Sequence, residues 1–80
     1  MGRKVKELDL HGVPHADVEM FLENFFFLGD IVQGTVITGN SKEMKNIVLN
    51  WLDQHDFHYY VPTGNSGRVE VQDNIFLKSV

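Results

Sequence analysis

Eighty residues with 42% hydrophobic side chains, six Phe and no Cys make one small domain that must hold together by packing alone. The missing Cys excludes a disulfide framework and a cysteine zinc site, and no stretch reaches the ~20 apolar residues of a membrane span. A net charge of −4 weighs against a strong non-specific nucleic-acid binder. The basic start Met1-Gly2-Arg3-Lys4 is not followed by the apolar run of a signal peptide, so a soluble, cytoplasmic protein is expected. Its oligomeric state is left open, with a monomer favoured.

Val5 to Leu10 reads as a strand. Leu8 and Leu10 would point to a core, and Asp9 and His11, two residues apart, would share the opposite face about 6–7 Å from each other. Gly12-Val13-Pro14 turns the chain into a helix, with Pro14 suited to its first position. Val18, Phe21, Leu22 and Phe25 recur at helical spacing, and Gly29 stops the helix near Leu28. Phe25-Phe26-Phe27 cannot all face one core from a helix, so one ring is expected to meet solvent, the chain's tail or a partner.

Ile31 to Thr38 reads as a central strand, apolar on both faces, with Gly34 a weak point in it. Thr38-Gly39-Asn40-Ser41 is a turn. Asn40 or Ser41 caps the next helix, and Glu43 stands three after Asn40 as in a capping box. Met44, Ile47, Val48, Trp51 and Leu52 form the cleanest helical stripe of the chain. Phe57 to Val61 and Arg68 to Gln72 read as two strands joined through turn chemistry at Pro62 to Gly67. Asp73 to Val80 is a short tail.

The order is β-α-β-α-β-β, a two-layer α/β sandwich with a four-stranded mixed sheet and two helices on one face, its core running from about Val5 to Gln72. Helical connections favour the first three strands as parallel neighbours. The first two strands would then deliver Asp9-Leu10-His11-Gly12 and the Thr38 loop to one sheet edge, where open α/β sheets bind ligands.

That edge carries the candidate chemistry. A carboxylate beside an imidazole can orient it for proton transfer near neutral pH. A loop that opens a helix offers N–H groups and a dipole to a phosphate. Lys42, Lys45 and Arg68 add positive charge near the loops, whereas every charged side chain from Glu7 to Asp30 is acidic, histidines aside. The plainer readings are a structural Asp–His pair and a loop that only turns and caps. His15 lies four residues past His11, but no recognised ligand spacing surrounds the histidines. His55 and His58 flank a helix-to-strand junction as cap and surface residues. Tyr59 and Tyr60 alternate faces, so one of them could stack on a base; the plainer reading is core and surface packing.

Leu8-Asp9-Leu10-His11-Gly12, then a helix, a strand and Thr38-Gly39-Asn40-Ser41 opening a second helix, resembles the small MutS-related (Smr) domain family. That family pairs an LDLHG-type motif with a later HGxG or TGxG loop, a short glycine connection (here Asn65-Ser66-Gly67) and a last strand. Ser41 stands where the family has its last glycine. The resemblance implies a sandwich like the C-terminal domain of translation initiation factor 3, nucleic-acid binding, and endonuclease or nicking activity. It implies Asp9 and His11 as the catalytic pair and Thr38, Gly39 and Asn40 as the second half of the site. Joined to the turn and charge reading above, the candidate phosphate-binding set is Gly12, Thr38, Gly39, Asn40, Ser41, Lys42, Lys45 and Arg68. A divalent cation (Mg or Mn) is the one cofactor to consider, and DNA or RNA the partner. The alternatives are a non-catalytic RNA, DNA or ribonucleoprotein binding module and a protein-interaction domain that uses the phenylalanine-rich helix.

Overall fold

A computed structural model describes residues 6–29, 33–64 and 67–74. In chain order it holds β1 (Glu7–Asp9), α1 (Val18–Glu23), β2 (Gly34–Ile37), α2 (Lys42–Gln54), β3 (Phe57–Tyr60) and β4 (Arg68–Asn74). These make an α+β sandwich, one mixed sheet of order β1-β2-β4-β3 under two helices. Val5, Ile31, Val32, Asn65, Ser66, Ile75, Phe76 and Leu77 lie outside the described residues. Among those described, no helix is long and apolar enough to cross a membrane.

β1 and β2 are parallel neighbours, with Leu8 beside Val36 and Asp9 beside Ile37. β2 and β3 are not neighbours, which corrects the expectation from the helical connections. β4 lies between them, antiparallel to both. A short loop allows β4 to fold back on either side of β3. On the inner side Val69 and Val71 reach the middle of the core, with Val69 opposite Val36. On the outer side they would cover only its rim.

One cluster holds the layers together. Leu10, Val36, Phe57, Val69 and Val71 come from the sheet side, Val18, Leu22 and Phe26 from the first helical segment, and Met44, Val48, Trp51 and Leu52 from α2. Burying each large side chain contributes about 1.5–3 kcal/mol. The α2 stripe is as its spacing predicts, with Ile47 half-buried.

α1 differs from its expected form. One 3₁₀ turn, His15–Asp17, precedes it, and the Asp17 N–H donates to the Pro14 carbonyl at 2.9 Å, so Pro14 stands before the helix. Regular α-turns end at Glu23, and the chain continues as a π turn over Asn24–Leu28. The wider turn rotates less per residue. It returns Phe26 to the line of Val18 and Leu22, while Phe25 is half-buried and Phe21 exposed. Gly29 ends the segment, but at φ −80° and not in the left-handed region. Glycine is needed there because a Cβ would stand 2.5 Å from the Phe25 carbonyl oxygen.

Candidate functional site

β1 and β2 run the same way, so their carboxyl ends share one edge of the sheet, and the start of antiparallel β4 lies there too. Main-chain hydrogen bonds tie the three ends. The Leu10 N–H donates to Ile37 at 2.8 Å, and the Thr38 and Gly39 N–H groups both donate to the Gly67 carbonyl, at 2.8 and 3.0 Å. Gly12 (φ +84°) turns the chain after His11, and Gly39 (φ +69°) turns it after β2. The two loops approach each other. His11 Cδ2 lies 3.4 Å from the point a Cβ on Gly39 would occupy. A second link joins the same elements, with His15 Nδ1 3.8 Å from Glu43 Oε2 in the first turn of α2. The expected meeting of the Asp9–His11 strand end with the Thr38 loop is present.

Within the first motif the geometry differs from the expected pair. Asp9 and His11 are both exposed, but His11 lies beyond the end of β1, where strand alternation no longer applies. Asp9 Oδ1 accepts the main-chain N–H of His11 at 2.9 Å. This is an Asx turn, in which the carboxylate fastens the loop. No hydrogen bond joins that carboxylate to the His11 imidazole among the described residues.

The second motif is also partly committed to itself. Thr38 is buried, and its hydroxyl lies 3.1 Å from the Gly39 carbonyl oxygen. The Gly39 N–H is held by Gly67, so it is not offered to a phosphate as expected. Asn40 is exposed. Ser41, not Asn40, caps α2: its Oγ accepts the Met44 N–H at 3.1 Å. Glu43 takes no part in a capping box and faces His15 instead. Ser41 sits at φ −84°, ψ 117°, extended backbone open to any residue. The N–H groups of Lys42 and Glu43 have no intrahelical acceptor, and the helix dipole points at them. Lys42 is exposed on this turn and Lys45 half-buried one turn on.

Arg68 is placed differently. Its Nε lies 2.9 Å from Glu70 Oε2 and its Nη2 3.4 Å from Thr35 Oγ1, and the Thr35 hydroxyl donates to Glu70 Oε1 at 2.7 Å. Thr35 and Glu70 are direct cross-strand partners on the face away from the helices. The Arg68 charge is therefore balanced inside the sheet and is not directed at the loops.

Two contributors had little sequence signal. Gly67 acts through its carbonyl, which no side-chain pattern announces. The His15–Glu43 contact joins segments far apart in the chain. Among the described residues no group of three or more His, Asp or Glu stands close enough to hold a metal ion.

Comparison with family models, with curated proteins and with solved structures finds no match to this chain.

Proposed function

We propose that this chain is an Smr-like nucleic-acid-binding domain that hydrolyses a phosphodiester, nicking DNA or cleaving RNA, on a sandwich of the kind found in the C-terminal domain of translation initiation factor 3. The observation that carries the reading is the approach of the His11 ring to Gly39, where an added Cβ would stand 3.4 Å from its Cδ2. A phosphate at the first turn of α2 would have its anionic oxygens near the open N–H groups and Lys42. His11, exposed at the mouth of the same two loops, would take a proton from the attacking oxygen or give one to the leaving oxygen. Asp9 would act through the backbone, fixing the loop that carries His11. Ser41 is no obstacle to this reading, since its φ of −84° makes no demand for glycine.

The deciding experiment incubates the chain with supercoiled DNA and with structured RNA, in Mg²⁺, in Mn²⁺ and in chelator. His11→Ala is expected to lower cleavage by about 100-fold or more. Equal cleavage by the wild type, His11→Ala and Asp9→Ala removes the catalytic reading.

One observation favours the second reading, a binding module without chemistry: the Asp9 carboxylate is engaged by the main chain and not by the imidazole. Such a module would still bind nucleic acid with an affinity that falls steeply with salt. Binding that persists in His11→Ala, weakens in Lys42→Ala and is accompanied by no cleavage identifies it.

A further inference from the structure

The first helical segment is apolar on two sides. Its inner side, Val18, Leu22 and Phe26, is fully buried. Its outer side carries Met20 and Leu28, 53% and 82% exposed, on one i, i+4, i+8 line through Asn24. The π turn keeps that line straight for the same reason that it keeps Phe26 inside. Phe27, 41% exposed, flanks it and is held in place by edge contact with His55, ring centroids 5.3 Å apart, and by Trp51 at 5.4 Å. The surface is thus two exposed apolar side chains on either side of Asn24, with Phe27 beside them, all fixed on one helical segment.

Along this segment, residues 17–29, the charge is of one sign. Asp17 stands at its head, and Glu19 and Glu23 run along its Phe27 side, all exposed. Among the described residues none of the three carboxylates meets a cation. Two copies packed through this face would set these acids against each other, which disfavours self-association. Anionic lipid would be repelled for the same reason. We infer that the outer face of α1 and its π turn docks a basic amphipathic helix of another protein. Leu-type side chains of that helix, at i, i+3, i+4 and i+7, would lie along Met20 and Leu28, and its Lys or Arg side chains would meet Glu19 and Glu23. This surface uses none of the residues assigned to the phosphate, so it stands whether or not the chain cleaves nucleic acid.

The test uses the whole chain and two synthetic helical peptides of about 18 residues with the same Leu spacing, one with Lys flanks and one with Glu flanks. The Lys peptide is expected to bind at least about tenfold more tightly than the Glu peptide, and to weaken by about tenfold in Met20→Ser/Leu28→Ser and with added salt in the wild type. Leu28 is 82% exposed, so these variants keep the core, which their thermal melts will verify. Equal binding of the two peptides, no binding of the Lys peptide, or binding indifferent to the double variant overturns the inference. So does concentration-dependent dimerisation abolished by Leu28→Ser, which would name a second copy as the occupant. Binding to phosphatidylserine vesicles through the same residues would name a membrane and overturns it as well.

Discussion

Gly67 lies against Gly39: its carbonyl accepts the Gly39 N–H at 3.0 Å, and a Cβ on Gly67 would stand 3.3 Å from the Gly39 carbonyl oxygen. The start of the last strand therefore sets the position of the loop that faces His11. Gly67→Ala must push two backbones apart, and it is expected to cost about 1 kcal/mol in urea unfolding. Gly39→Ala carries a left-handed backbone penalty of about 1–2 kcal/mol. It also sets a methyl group beside the His11 ring, so any cleavage activity should fall further than stability does. A Gly39→Ala chain with undiminished activity would show that the approach of the loops is incidental.

Ser41 is predicted to be a cap and nothing more. Ser41→Ala should lose about 1 kcal/mol by removing the acceptor of the Met44 N–H, and Ser41→Gly only a few tenths. Denaturant midpoints of the three proteins, compared at equal slope, check this. A Ser41→Gly chain markedly less stable than Ser41→Ala would contradict it.

The two rings after Phe25 should part company on truncation. Phe26 is fully buried and packs on Trp51 and Phe57, with centroids 5.8 and 4.8 Å away. Phe26→Ala is expected to cost about 3–5 kcal/mol, close to the whole stability of a domain this small. Phe27→Ala should cost well under half of that, since much of the ring already meets water. Calorimetric melts of both variants separate the cases.

Tyr59 supplies a pH dependence. Burial pushes its phenol above the usual value of 10.0, and the hydrogen bond to Asp53 and that carboxylate's charge push the same way. The Tyr59 OH donates to Asp53 Oδ1 at 2.8 Å, a bond lost when the phenol ionises. Because the folded pKa is the higher one, this stabilisation is complete below the unfolded value of 10.0 and disappears as pH rises through the folded value. Alkaline titration by ultraviolet absorbance should show one late tyrosine that Tyr59→Phe removes and Asp53→Asn brings to lower pH.

What the sequence made legible followed from local period. Met44, Val48, Trp51 and Leu52 announced α2 by spacing, and a helix between two strands announced the parallel pairing of β1 and β2. That pairing alone was enough to bring His11 to the Gly39 loop. The π turn was not legible, because three consecutive Phe residues allow more than one helical register and only the fit of Phe26 against Trp51 chooses. The place of β4 was hidden for a similar reason. Alternation of Val69 and Val71 marks a strand but not its neighbour. At the site, residue type could not say that the Asp9 carboxylate would prefer the nearby His11 N–H to its imidazole, nor that the Gly39 N–H would be taken by a carbonyl from the other end of the chain. Both are contests for the same hydrogen-bonding group, decided by backbone paths that a motif does not record.

The strand order has a consequence during synthesis. Among the described residues β4 is the last element in chain order, yet it occupies an inner position between β2 and β3. Until residues 68–74 have left the ribosome, β2 and β3 have no strand to share, and the helices have only part of a sheet to cover. The nascent chain therefore waits, its apolar faces exposed, and completes its core in one late step. Removal of a few residues from β4 should prevent assembly of the whole sheet, whereas the loss of an edge strand's end would only fray it.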